Sequence, residues 1–164
     1  MTSATYDSGA VLDNLYLELL KLIEQQVGCK VNIEKNHNSG QMLLAKTRYI
    51  QGTHSVGRAQ IPTELSTEFN ALCEVKEIAC EETISGKEIS LLKNYISSET
   101  GCVDPLKWFS ALPPRSLRLA CEQFKKSVEL VVESVNIQRN LQAVIFCILE
   151  LKKSAPLVLA DYVL

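Results

Sequence analysis

From Leu12 onward, apolar and small residues recur in a strict alternation of three and four: Leu12, Leu15, Leu19, Leu22, Gln26, Cys29, Ile33, Asn36, Gly40, Leu43, Thr47 and Ile50. Such a spacing keeps one stripe on one side of a long helix and asks for a second helix to cover it. A second run starts at Ser116 and continues to about Lys153. It carries Leu117, Cys121, Phe124, Val128, Val131, Val135, Gln138, Gln142, Ile145 and Leu149 at the same spacing. The fold class that follows is mainly α. Two long helices form an antiparallel coiled-coil hairpin, with a small variable β-hairpin or linker insert between them.

The first seam is apolar at both ends and weak in the middle, where Gln26, Asn36 and Gly40 replace apolar knobs. Residues 36–40 are poor helix formers, so a kink or break is expected there. The helix stops at Gly52, the type of residue that ends many helices in a left-handed conformation. A helix of about forty residues reaches ~60 Å at 1.5 Å per residue, more than a compact core of this size uses. An arm of that length asks for a partner.

Five segments result. Residues 1–10 are small and polar and are expected to be disordered. Residues 11–52 form the first helix, residues 53–103 an acidic variable insert, residues 104–153 a short tryptophan-containing helix followed by the second long one, and residues 154–164 an apolar tail. Within the insert, residues 69–78 and 88–96 flank Ser85-Gly86-Lys87 and read as a β-hairpin, with helical turns an alternative for the second run. Asp104-Pro105 is an N-cap and first-turn pair that opens the short helix carrying Trp108 and Phe109, and Leu112-Pro113-Pro114 closes it. Because those two aromatic residues are adjacent, one short helix cannot direct both rings at the same spot.

Charge narrows the function classes. Net charge is −2, so no global field calls for nucleic acid or an anionic membrane. Residues 10–58 hold six Lys/Arg against four Asp/Glu, residues 59–103 three against eight, and residues 104–153 eight against five. Two mildly basic arms thus flank an acidic middle. The six cysteines show no Cys-x-x-Cys spacing, and His37 and His54 lie far from any pair that could share a metal, which argues against zinc. With no Asn-x-Ser/Thr acceptor and no expected cleavable leader, reduced thiols in the cytosol are the reading. The glycine-bounded turn at residues 52–58 has neither a preceding strand nor a Gly-Lys-Ser/Thr, so it does not suit a phosphate. The apolar runs at residues 144–149 and 156–159 are far shorter than a membrane span. No carboxylate pair or histidine constellation suggests acid–base catalysis, and neither an enzyme nor a cofactor is expected.

Two motifs carry a resemblance. Ala45-Lys46-Thr47-Arg48-Tyr49-Ile50-Gln51-Gly52-Thr53-His54-Ser55-Val56-Gly57, and Asp104-Pro105-Leu106-Lys107-Trp108-Phe109 followed by Pro114-Arg115-Ser116-Leu117-Arg118, stand in the same order as in the coiled-coil assembly factors of the vacuolar proton ATPase. The chain resembles that family over residues 12–57 and 104–143. It departs over residues 144–164, where the relatives continue as a charged helix.

What the resemblance implies is a non-enzymatic chaperone on the cytosolic face of the endoplasmic reticulum, with Golgi-intermediate, endosomal or lysosomal membranes as further locations. A transmembrane assembly partner would hold it there while the membrane sector of the ATPase is built, in support of organelle acidification. The partners implied are that transmembrane protein and membrane-sector subunits. The candidate contact residues are Leu15, Leu19 and Leu22 on the seam; Ala45, Arg48, Tyr49, Gly52, Ser55 and Val56 around the first motif; and Asp104, Pro105, Trp108, Phe109, Ser116 and Leu117 around the second. A coiled-coil vesicle tether or scaffold unrelated to the proton pump is the competing reading.

Overall fold

The computed structural model describes residues 3–81, 83–97 and 99–154. Helix α1 runs from Ser3 to Gln51, strand β1 from Cys73 to Ala79, strand β2 from Lys87 to Lys93, helix α2 from Leu106 to Phe109, and helix α3 from Arg115 to Ser154. A single 3-10 turn, Arg58–Gln60, lies between α1 and β1. At 1.5 Å per residue α1 is about 74 Å long and α3 about 60 Å. The helix α1 begins upstream of the expected start at Val11. Residues 155–164 of the expected apolar tail lie outside the described residues.

Helices of this length hold together by burying a stripe, since propensity alone is marginal in water. Leu22 and Cys29 of α1 meet Ile137, Val144 and Ile148 of α3, with Leu12, Leu15, Leu19, Ile33, Leu130 and Leu141 packed around them. Farther along, the Phe124 ring covers Gly40, and the Thr47 hydroxyl is hydrogen-bonded to that of Ser116 at 2.7 Å. The helices are therefore antiparallel neighbours.

The expected coiled-coil hairpin is nonetheless corrected. The described residues form three helices and a two-stranded antiparallel sheet, and the packing between α1 and α3 is not the regular apolar interlock a coiled coil needs. Two physical reasons stand out. The buried face of α3 is Leu117, Ala120, Ser127, Ser134, Ile137, Val144 and Ile148, one residue out of step with the expected stripe beyond Phe124. Val128, Val131, Ile145 and Leu149, expected inside, are exposed. In addition, the middle of the contact is polar: Gln26 is buried and donates from Nε2 to Ser134 Oγ at 3.0 Å, while its Oε1 has no partner.

The expected break does not occur, and α1 is continuous through residues 36–40. Gly40 serves as a notch there. A Cβ at that position would stand 2.8 Å from Phe124 Cζ, and the ring also meets the His37 imidazole edge-on at 5.5 Å.

Strands β1 and β2 pair with Val75 opposite Leu91 and Glu77 opposite Ile89, the hairpin expected between residues 69 and 96. The sheet is fastened to α3. Asn136 acts as a substitute strand, its Oδ1 accepting from Ile89 N–H at 2.8 Å and its Nδ2 donating to Ile89 O at 2.9 Å. Lys93 pairs with Glu129, and Arg139 Nη1 donates to Glu77 Oε1 at 2.8 Å. These charged pairs are well exposed and count for little beside the Asn136 bonds.

Two of the three glycines inside α1, Gly28 and Gly40, respond oppositely to a side chain. Gly28→Ala meets nothing within 4 Å and should raise thermal stability by about 0.5–1 kcal/mol through helix propensity. Gly40→Leu should lower it by roughly 1–3 kcal/mol through overpacking against Phe124. Thermal unfolding of both variants followed by circular dichroism checks the pair; equal behaviour would contradict the notch.

Candidate functional site

The candidate contact residues fall into two groups at opposite ends of α1. Leu15, Leu19 and Leu22 belong to the α1–α3 core, so they hold the fold together and offer little surface. Leu22 and Arg48 are separated by about 39 Å of helix.

The two motifs, distant in sequence, meet at the far end. Thr47 is fully buried, with its Oγ1 2.8 Å from Leu43 O and 2.7 Å from Ser116 Oγ, which ties the last turn of α1 to the first turn of α3. Leu117 is buried beside that link. Gly52 ends α1 at φ +92°, a conformation that strains any side chain, and its carbonyl accepts from the Ser55 hydroxyl at 2.7 Å. Val56 and Ser55 are half-buried, whereas Ala45 and Arg48 point to solvent and Tyr49 is 91 % exposed. Exposure of a whole tyrosine at a helix end leaves an aromatic handle with no partner among the described residues.

The second motif builds a cleft. Asp104 Oδ1 accepts from Leu106 N–H at 3.1 Å and so starts α2, with Pro105 supplying the preset backbone angle. Trp108 and Phe109 make different contacts. The Trp108 ring meets Phe69 edge-on at 5.1 Å, and the Phe109 carbonyl accepts from Gln60 Nε2 at 3.3 Å. Gln60 Oε1 in turn accepts from Gly57 N–H at 2.9 Å. Trp108 then walls one side of an open cleft of about 850 Å³ whose other sides are Ile61, Phe69, Ile96 and Lys107.

A surface that the sequence reading missed lies along the helices. Tyr16, Leu20, Ile23, Val27 and Val31 are all exposed, Leu20 at 62 % and Val27 at 57 %. Their spacing puts them on one strip of α1, a quarter to half a turn round from the buried seam. On α3 the exposed Val131, Ile145 and Leu149 occupy the corresponding strip. In an antiparallel right-handed pair both strips turn to the same side, and Lys152 Nζ lying 5.4 Å from the Tyr16 ring centre spans them there. The sheet covers the opposite side, where Ile89 and Leu91 approach Gln25, Val132 and Asn136. Among the described residues one apolar face is therefore covered and the other is bare. The signal was present in the surplus of apolar residues beside each seam.

All six cysteines are free thiols. Burial pushes Cys29 above its ordinary value, with Glu133 adding to the rise, and burial does the same to Cys121, so both stay protonated at neutral pH. Among the described residues no group of His, Cys, Asp or Glu could hold a metal ion, and no helix is long and apolar enough to cross a membrane.

Comparison with known proteins bears on the resemblance. No protein-family model matches the chain. The human vacuolar ATPase assembly protein VMA22 is 27 % identical over 157 residues, which cover 84 % of this chain and 87 % of the relative. The resemblance drawn from the two motifs is borne out. Bovine VMA22 is 24 % identical over the same shares, and mouse VMA22 is 24 % identical over 149 residues, covering 79 % of this chain and 83 % of the relative. The likeness to VMA22 thus extends well beyond the motifs.

Trp108 is the only tryptophan, so its emission reports the cleft directly. Phe69→Ala should shift that emission to the red and cost about 1 kcal/mol of stability through loss of the ring contact. Unchanged emission would mean that Phe69 does not cover the indole in solution.

Proposed function

We propose that this chain is an assembly factor of the vacuolar proton ATPase, acting by binding and not by catalysis, and that it serves the membrane sector of the pump at the endoplasmic reticulum. The observation that carries the reading is likeness along more than four fifths of the chain to proteins named for vacuolar ATPase assembly. The physical device available for the work is the bare apolar face of α1 and α3. Two helices packed side by side leave a groove between them that a third helix can fill at the usual 8–10 Å spacing.

The occupant of that groove is an amphipathic helix of a transmembrane assembly partner, which would hold this chain against the membrane from the cytosolic side. Contiguous apolar surface on a helix pair is costly to leave in water and marks such interfaces. The Tyr49 and Trp108 end lies past the end of that face, with Tyr49 about 27 Å of helix beyond Val31, free to meet a pump subunit while the face is occupied.

Deleting the protein from cells should remove the assembled membrane sector from native gels of detergent-solubilised membranes and raise organelle pH. Re-expressing the wild type should restore both. A Leu20→Asp/Val27→Asp double variant alters only exposed positions, so its folding stability should change by no more than about 0.5 kcal/mol per site. It should fail to restore assembly. Normal assembly and acidity in the deleted cells would overturn the functional reading and favour a tether or scaffold. Full rescue by the double variant would overturn the assignment of the face alone.

A further inference from the structure

The sheet has two edges, and only one of them is finished. Asn94 N–H donates to Leu72 O at 2.9 Å and Cys80 N–H to Gly86 O at 3.1 Å, so the even-numbered residues of β1 are the ones bonded to β2. Opposed residues in an antiparallel ladder alternate between pairs that exchange both main-chain bonds and pairs that exchange none. Cys73, Val75, Glu77 and Ala79 therefore aim their N–H and C=O groups away from β2. On the far edge of β2, Asn136 satisfies the equivalent groups of Ile89. On the β1 edge, nothing among the described residues bonds these groups. Every residue of β1 is exposed, and Val75 is 61 % exposed.

An open, unbulged edge of seven residues is a template for another strand, and native proteins usually cover or distort such an edge. We propose that β1 pairs antiparallel with β1 of a second copy of this chain, making one four-stranded sheet across a two-fold axis. The sequence of the strand argues for this occupant because it complements itself. With Val75 opposite Val75 on the axis, Cys73 and Glu77 exchange main-chain bonds with their counterparts, and Glu74 of each copy faces Lys76 of the other. Leu72 then lies across from Ile78, which is otherwise exposed. Sliding the pairing by two residues either way sets Lys76 against Lys76 or Glu74 against Glu74, and like charges directly opposite are unfavourable. The charges on β1 thereby admit one register and penalise its neighbours.

The contact is distinct from the apolar helical face and leaves it free. A seven-residue strand edge falls below the ~1,200 Å² of stable complexes, so the association is weak, with a dissociation constant on the order of 10–100 µM.

Sedimentation equilibrium of the full chain across that concentration range tests the proposal. The wild type should show a monomer–dimer equilibrium. Glu74→Lys sets Lys against Lys twice, and Lys76→Glu sets Glu against Glu twice, so each variant alone should dimerise about tenfold or more weakly. An equimolar mixture of the two recreates both opposite-charge pairs and should recover wild-type association, which also shows that neither variant has lost its fold. A wild type that stays monomeric throughout the range would overturn the proposal. So would a dimer that both single variants retain, since association would then run through another surface such as the helical face.

Discussion

The contact between α1 and α3 is the interaction on which everything else depends. Neither helix could persist at its length in water without covering its stripe, and each element outside the pair is attached to α3 or to the segment that leaves α1. The sheet is fastened through Asn136, Glu129 and Arg139. The short helix α2 is held through Gln60 and Phe69 to the segment that leaves α1. Loosening α3 would therefore release the sheet together with the helix pair.

That contact is not uniformly apolar, and the exceptions are informative. An aliphatic stripe can slide along its neighbour at small cost, because one leucine resembles another. Gln26 bonded to Ser134, Phe124 seated over Gly40, and Thr47 bonded to Ser116 cannot slide, since each needs one particular residue across from it. Gln26 pays for this with a buried Oε1 that has no acceptor bond, a cost of roughly 1–3 kcal/mol. A polar group retained at such a cost fits a role in fixing alignment. Alignment is also what brings the two motifs together at one end.

Much of α1 could be read from its spacing alone: Leu22, Gln26, Cys29, Gly40 and Thr47 are buried where the alternation put them. On α3 the same rule slipped by one residue after Phe124. Val128, Val131 and Val135 form an equally regular run beside Ser127 and Ser134, and hydrophobicity favours the valines although the serines face α1. Sequence periodicity locates a stripe, whereas the identity of its partner depends on tertiary structure. The break expected at residues 36–40 failed for a similar reason, because Gly40 is required by a ring more than eighty positions away. The strands were legible from composition and turn residues, but their attachment through an asparagine side chain left no local signal. For the site, the two motifs were visible as sequence, while the role of Leu15, Leu19 and Leu22 as core and the bare face beside them required the packed helices.

The placement of the sheet explains why the bare face exists on one side only. Each long helix carries more apolar surface than one neighbour can bury, so a helix pair of this kind has two flanks to cover. Covering one with β2 requires a means of finishing the strand edge nearest the helices, and Asn136 does so with a single amide. Nothing comparable lies on the other flank among the described residues, where Tyr16, Leu20, Ile23 and Val27 stand beside Val131, Ile145 and Leu149. A second sheet there would have closed the molecule and left it nothing to offer a helix. Among the described residues the cation–π contact of Lys152 with Tyr16 bridges the flank at one end without filling it. Under the proposed function the chain would have to bind and then let go, and an open two-helix face could release a bound helix without unfolding the core that α1 and α3 share.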